Sequence, residues 1–290
     1  VHENAGAPTG VLLVAIAALI VAGRYLSTAG VLFFPAMRRR SANVEGVRGG
    51  ETPRVWLVAH IDSKWQPVPM AARAGGVILL SIMTIVALAL SVIQWRSGVA
   101  PETWRVVLIL TWTGAIPVML SVVGDRGPGA VDNASGVAAV LEAAELLDAR
   151  LPVGVLITDA EELGLAGARA WAEARRGTPH IALNCDGVDD AGMLTVMFSG
   201  RQPDVLVATL VRAASREREQ LRVIRMIPGV LTDSVALAAA GWTTATLSRG
   251  SLRTLRRIHT MADDTTSMRG TGISVAARVL ASAATELAGR

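Results

Sequence analysis

VGVLITDAEELGLAGARAW, residues 153–171, divides into three parts. Val153–Thr158 is a short apolar run rich in Val and Ile, the composition of a buried strand. Asp159-Ala160-Glu161-Glu162 then interrupts it with carboxylates. From Gly164 to Arg175 the pattern is amphipathic at helical spacing. A buried strand, an acidic turn and an amphipathic helix in succession make half of a strand–helix–strand unit.

The alternation continues on both sides. Strands are predicted at Val55–Ala59, Ile181–Cys185, Leu194–Phe198, Val223–Met226 and Ala245–Ser248. Amphipathic patterns cover Ser135–Ala149, Pro203–Arg216, Ser234–Ala240 and Ile273–Ala288. This predicts an α/β domain with a largely parallel sheet, assembled from residues 37–73 and 125–290.

The segment between those two pieces has a different character. Ala74–Trp95 and Val106–Gly124 contain no charged residue, and each is long enough to cross roughly 30 Å of hydrocarbon as a helix. Trp95 and Trp104 stand at the facing ends, as interfacial aromatics do, and SGVAPET (97–103) suits a tight link. Residues 74–124 are therefore expected to form an inserted transmembrane helical hairpin. A third apolar run, Gly10–Ala36, carries Arg24, which costs about 2.5 to 3.5 kcal/mol at a helix centre unless it snorkels. It predicts an N-terminal membrane anchor over 1–36. No Lys or Arg precedes Gly10, so a cleaved signal peptide is not expected. Arg38, Arg39, Arg40, Arg48, Arg54 and Arg73 lie on the domain side of the spans. The positive-inside rule then predicts a multi-pass protein of the cell membrane with its α/β domain in the cytoplasm.

Composition agrees with lipid as one partner. Hydrophobic residues make up 51% of the chain, and mean hydropathy is +0.44. The net charge of +4 does not signal nucleic acid. Lys64 is the only lysine, the arginines are mostly scattered, and no aromatic–basic interleaving occurs. Cys185 is the only cysteine, which excludes an intrachain disulfide and a thiolate zinc cluster. A metal here must be held by His, Asp and Glu.

In α/β sheets ligands gather at the carboxyl ends of the strands. Those ends carry His60-Ile61-Asp62, then Asp159-Ala160-Glu161-Glu162, then Asp186, and near the last strand Ile258-His259-Thr260. Asp132 sits in GAVDNASG (129–136), at a helix start. Histidine and carboxylate donors suit zinc or a similar divalent ion. The set exceeds one site, whereas two metals sharing a bridging carboxylate would use it. Of two adjacent Glu, one can bind metal while the other remains a base. Asp62, two residues after His60, is placed to accept the second imidazole N–H. Each piece alone has a plainer reading: Asp132 as a helix N-cap, His60-x-Asp62 as a surface pair, Glu161-Glu162 as solvated. His2 and His180 have no companion motif and are read as structural or exposed.

In order along the chain, AHIDS (59–63), GAVDNASG (129–136), DAEELGLAGA (159–168), NCDG (184–187), LTDSVAL (231–237) and IHTMADD (258–264) resemble the M28 metallopeptidases, the cocatalytic-zinc aminopeptidases. The resemblance implies a three-layer αβα sandwich around a mixed, mostly parallel sheet. It implies two Zn2+ ions, or other divalent metals, with His60 and Asp186 on one, Glu162 and His259 on the other, and Asp132 bridging. Glu161 would be the general base and acid, Asp62 would support His60, and Asp233 would be a further acid behind the ligands. The implied reaction is hydrolysis of a peptide bond at an amino terminus, with a water held between the metals as nucleophile. The chain departs from the pattern in three places. The hairpin separates His60 from Asp132, Ser234 stands where many members carry His, and Met261 replaces a more usual Pro. Related scaffolds act as carboxypeptidases, deacylases or glutaminyl cyclases, and some membrane relatives are scaffolds that have lost ligands. The complete ligand set favours two metals and hydrolysis.

Overall fold

The computed structural model describes residues 10, 13–21, 24, 40–47, 52–178, 180–226 and 230–289. The anchor expected over 1–36 lies largely outside the described residues; within it, residues 13–21 are helical. His2, Arg38, Arg39 and Arg48 also lie outside them. The chain divides into two compact units. One contains Gln66–Gly124, and the other is formed by Phe33–Trp65 and Asp125–Arg290.

The larger unit is built on a seven-stranded sheet in the order β1-β3-β2-β4-β7-β5-β6. The strands are β1 Val44–Val47, β2 Val55–His60, β3 Val153–Thr158, β4 Ile181–Val188, β5 Met193–Phe198, β6 Leu221–Arg225 and β7 Thr243–Gly250. The pairs β2–β3, β2–β4, β4–β7 and β5–β6 are parallel, while β1–β3 and β5–β7 are antiparallel. The sheet is thus mixed and mostly parallel.

Strand β2 shows why the sheet needs helices on both sides. Successive side chains of a strand point to opposite faces, and every residue of β2 is buried. Val55, Leu57 and Ala59 join one core with helices Ser135–Leu146, Asp204–Arg216 and Thr271–Ala288. Trp56 and Val58 join the other, against Trp171 of helix Ala166–Glu173 and Leu237 of helix Asp233–Ala239. On that second face Trp56 pairs across the sheet with Gly154, where a Cβ would meet the indole ring at 2.4 Å. Trp56, Trp171 and Trp242 then stack edge to face at 4.7 and 5.0 Å, a geometry the ring quadrupoles favour.

The smaller unit contains helices Met70–Ser97 and Pro101–Met119 packed as a hairpin. Gly76 and Gly114 set their close approach: a Cβ on Gly76 would lie 2.6 Å from the Gly114 carbonyl oxygen. At the link, Gln94 Oε1 accepts from the Val99 amide at 2.8 Å and from Trp104 Nε1 at 3.4 Å. Most of the apolar side chains on both helices are exposed, Trp95 at 75% and Ile85 at 68%. Among the described residues one helix, Met70–Ser97, is long and apolar enough to cross a membrane. The second run differs from expectation. Its helix starts at Pro101, so Glu102 and Arg105 fall in its first turns, and it stops at Met119, short of Gly124. Pro117 lies inside and has no N–H for the preceding turn, and the helix ends two residues later.

Candidate metal centre

The parallel strands point their carboxyl ends to one edge of the sheet, and the expected ligands collect there. His60 is the last residue of β2, Glu161 and Glu162 follow β3, and Asp186 lies within β4. Asp132 sits in the turn before helix Ser135–Leu146, and His259 follows the short helix Leu252–Arg257. The last strand therefore contributes through a helix and loop, not from its own end.

The structure brings all of them together in two groups. His60, Glu161 and Asp186 present donor atoms within 4.8 Å of one another, and so do Asp132, Glu162 and His259. Asp132 faces both groups: its Oδ1 is 3.3 Å from His60 Nε2 and its Oδ2 is 2.7 Å from His259 Nε2. His60 Nε2 also lies 3.5 Å from Asp186 Oδ1, and His259 Nε2 lies 3.2 Å from Glu162 Oε1. Tetrahedral donors about 2.0–2.1 Å from a zinc ion are about 3.4 Å apart, so the spacings of 3.2, 3.3 and 3.5 Å fit shared cations, while the 2.7 Å contact is a direct hydrogen bond. Glu162 Oε1 is buried, with His259 Nε2 as its polar neighbour.

The charges make the same demand. Asp62, Asp132, Glu161, Glu162, Asp186 and Asp233 converge with Lys64 as the cationic side chain paired within the cluster. Uncompensated buried charge is expensive, and two divalent cations would offset most of it. The same crowding shifts the titrations. Burial pushes Glu161 well above the usual carboxylate range, with Asp186, Asp233 and Glu162 adding to it against His60. Burial also raises Asp233, to about 6, and raises Asp186. Burial works against a proton on His60 and on His259, but the carboxylates facing each ring outweigh it and raise both. A metal would compete for those same imidazole lone pairs.

Asp62 meets both His60 and the Glu pair. His60 Nδ1 bonds the Asp62 backbone carbonyl at 3.0 Å, with the carboxylate farther away at 3.6 Å. The Asp62 carboxylate instead accepts from the amides of Glu161 at 3.0 Å and Glu162 at 3.1 Å. One residue thus orients His60 through its carbonyl and the Glu pair through its side chain. Asp233 is buried and accepts from Thr158 Oγ1, while its Oδ1 has no partner. His180 stacks on Trp242 at 4.4 Å in the second core and stays outside the cluster.

Two participants escape sequence reasoning. Lys64 Nζ pairs with Glu162 Oε2. Buried Asn133 accepts from the amides of Gly136 and Gly187, each at 3.1 Å, and donates to the Cys185 carbonyl at 3.0 Å, tying the Asp132 turn to β4 beside Asp186. The Asp132–Asn133 peptide is cis. Ala160 and His259 hold left-handed backbone at φ 58° and 62°, uncommon for residues with a Cβ. His259 belongs to the cluster, and Ala160 directly precedes Glu161.

An αβα sandwich that gathers two histidine–carboxylate groups at the carboxyl edge of its sheet has the architecture of a metallopeptidase. The sequence profile described as Peptidase family M28 matches residues 43–284, and the chain belongs to that family. No curated protein matches it by sequence. BSAP, a zinc aminopeptidase from Bacillus subtilis, superposes with a TM-score of 0.55 at 18% identity, covering 84% of this chain and 49% of that one. The aminopeptidase from Aneurinibacillus sp. strain AM-1 gives 0.52 at 17%, covering 83% and 46%. The Bacteroides thetaiotaomicron glutaminyl cyclase bound to N-acetylhistamine gives 0.55 at 15%, covering 91% and 88%. At these identities the likeness is one of fold. The chain spans about half the length of the aminopeptidases and most of the length of the cyclase.

Proposed function

We propose that this chain is a membrane-anchored, two-metal peptidase that removes residues from the amino terminus of peptides. The observation that carries the proposal is Asp132, whose two carboxylate oxygens face two different imidazoles. In this reading His60 and Asp186 hold one zinc, Glu162 and His259 the other, and Asp132 both. When bound, the metal pair supplies a water of lowered pKa and an electrophile for the scissile carbonyl.

The chain's own residues supply the rest. Glu161, buried and with a raised pKa, takes a proton from the attacking water and returns it to the departing amine nitrogen. Asp62 holds the Glu161 and Glu162 amides, so the base and its neighbouring ligand keep a fixed relation. Lys64 neutralises the second oxygen of Glu162.

The membrane assignment rests on the exposed apolar hairpin and on helix Met70–Ser97. Of the helix Pro101–Met119, the uncharged part from Val106 is short for a full span on its own. The arginines flanking the spans favour a cytoplasmic peptidase unit.

The test is metal content of the detergent-purified chain together with a panel of aminoacyl, N-acyl and glutaminyl substrates. Two equivalents of zinc and aminopeptidase turnover are expected. Glu161→Gln should keep the metal and lose turnover by about 10²- to 10⁴-fold; near-parent turnover would remove Glu161 from the role. Metal below about one equivalent would return the chain to the scaffold reading. Glutaminyl cyclisation is a second reading, favoured by the 88% coverage of the cyclase, and the glutaminyl substrates decide it.

A further inference from the structure

We infer that Asp263 is a positioning residue that sets the bridging carboxylate of Asp132 by fastening the loop of His259 to the turn of Asp132. The inference rests on the two-metal reading above. It deepens that reading by naming a residue that touches no metal yet fixes where the shared ligand stands.

Three consecutive amides of the Asp132 turn end on this one residue. Asp263 Oδ1 accepts from the Val131 amide at 2.9 Å, Oδ2 from the Asp132 amide at 3.1 Å, and the backbone carbonyl from the Ala130 amide at 2.9 Å. Asp263 is 1% exposed, so water cannot replace those bonds. On its own side the loop is folded tightly: the Asp263 amide donates to the Thr260 carbonyl at 3.2 Å, and the Thr260 amide to the Arg257 carbonyl at 3.1 Å. His259 lies inside that short circuit. The two side chains that meet at 2.7 Å, Asp132 and His259, are therefore held by backbones tied to each other through Asp263.

A charged carboxylate suits the position because both oxygens must accept. Bonds from amides to an ionised acceptor are roughly twice as strong as neutral ones. Arg257 stands behind it, with Nε 4.0 Å from Asp263 Oδ1 and Nη2 3.4 Å from Asp189 Oδ2. Asp189 is in turn bonded by Thr254 Oγ1 at 2.7 Å. An asparagine would fill the same volume but turn an N–H2 toward one of the two amides. It would keep the packing and break the match of donors to acceptors.

The experiment compares the full-length parent, Asp263→Asn and Asp190→Asn in detergent, measuring zinc affinity by chelator competition, zinc stoichiometry, and melting temperature with and without zinc. Asp190 is a matched control: its carboxylate accepts the Gly272 amide at 2.9 Å and the Thr271 hydroxyl at 3.0 Å at the start of the last helix, among residues that hold no proposed ligand. Asp263→Asn should bind zinc about 10- to 100-fold more weakly, as expected when an outer partner of a ligand is lost. Asp190→Asn should melt lower with parent zinc affinity. Asp263→Ser, smaller and able to accept one amide, gives the same readout should the asparagine variant not accumulate folded. Zinc affinity of Asp263→Asn within about twofold of parent overturns the inference. Equal loss in the Asp190 variant also overturns it, since the effect would then follow stability alone. A parent that binds no zinc overturns the two-metal reading and this inference with it.

Discussion

Gly136→Ala tests whether the metal turn depends on a glycine. A Cβ at 136 would lie 2.1 Å from Asn133 Oδ1 and 2.5 Å from the Cys185 carbonyl oxygen. The second obstacle is backbone of β4, one residue before Asp186, and does not yield cheaply. The first can move only by swinging Asn133 away, which gives up its bonds to the Gly136 and Gly187 amides and to the Cys185 carbonyl. Overpacking costs about 1–3 kcal/mol, and three hydrogen bonds at about 1 kcal/mol each give a similar figure for the alternative. Either route comes to roughly 3 kcal/mol, or about 6–12 °C in melting temperature for a domain of this size. Because the strain sits between Asp132 and Asp186, zinc affinity should fall as well, by about tenfold or more. Thermal melts with and without zinc, beside Gly46→Ala, provide the assay; a Cβ at Gly46 meets nothing within 4 Å. A Gly136→Ala variant that melts within about 2 °C of parent and binds zinc equally would refute the reasoning.

Asp233, raised to about 6 by burial, binds its proton more tightly folded than unfolded. Its ionisation therefore costs stability as pH rises from about 3.8 to 6, and the cost is complete above that, about 3 kcal/mol. In chelator-treated protein the melting temperature of Asp233→Asn relative to parent should rise across that window and level off; a difference independent of pH would exclude the carboxyl as its source. Gly76→Leu would drive a side chain into the Gly114 carbonyl and should destabilise the hairpin, seen as faster proteolysis in membranes, while leaving zinc stoichiometry at the parent value. A reporter fused to the C-terminus should be active in the cytoplasm; periplasmic or external activity would reverse the proposed orientation.

The parallel core was readable because its strands are apolar on both faces. Val55–Ala59 and Val153–Thr158 need no context to be recognised. Edge strand Val44–Val47 was not, since all four residues are exposed and Glu45 and Gly46 interrupt the pattern. Helix Leu252–Arg257 was missed because it is short and its signal is a local cap, Ser251 with Thr254. Strand β4 runs past its apolar run to Val188, through Asp186 and Gly187 and a register shift between Cys185 and Val188 that no apolar pattern announces. The candidate ligands were legible as short motifs, at predicted strand ends for His60, Glu161, Glu162 and Asp186, at a helix start for Asp132 and in a loop for His259. Lys64 and Asp263 were not, because their partners lie 98 and more than 130 positions away. A clue to Asp263 was its place in IHTMADD, three residues from the exposed Thr266 turn that its neighbour Asp264 caps.

The position of the hairpin in the chain bears on how the protein is made. β2 leaves the ribosome early, yet both strands that flank it in the sheet, β3 and β4, are translated only after the two apolar helices. The central strand must wait with both edges unpaired, the condition that favours aggregation. The helical hairpin eases the pairing that follows, because it forms from local contacts and brings its two ends together. With those helices already joined, the loop between His60 and Asp132 behaves as though it were several-fold shorter, which lowers its closure cost by about 1 kcal/mol. The apolar insertion would then serve as a folding clamp during synthesis, before any substrate is met.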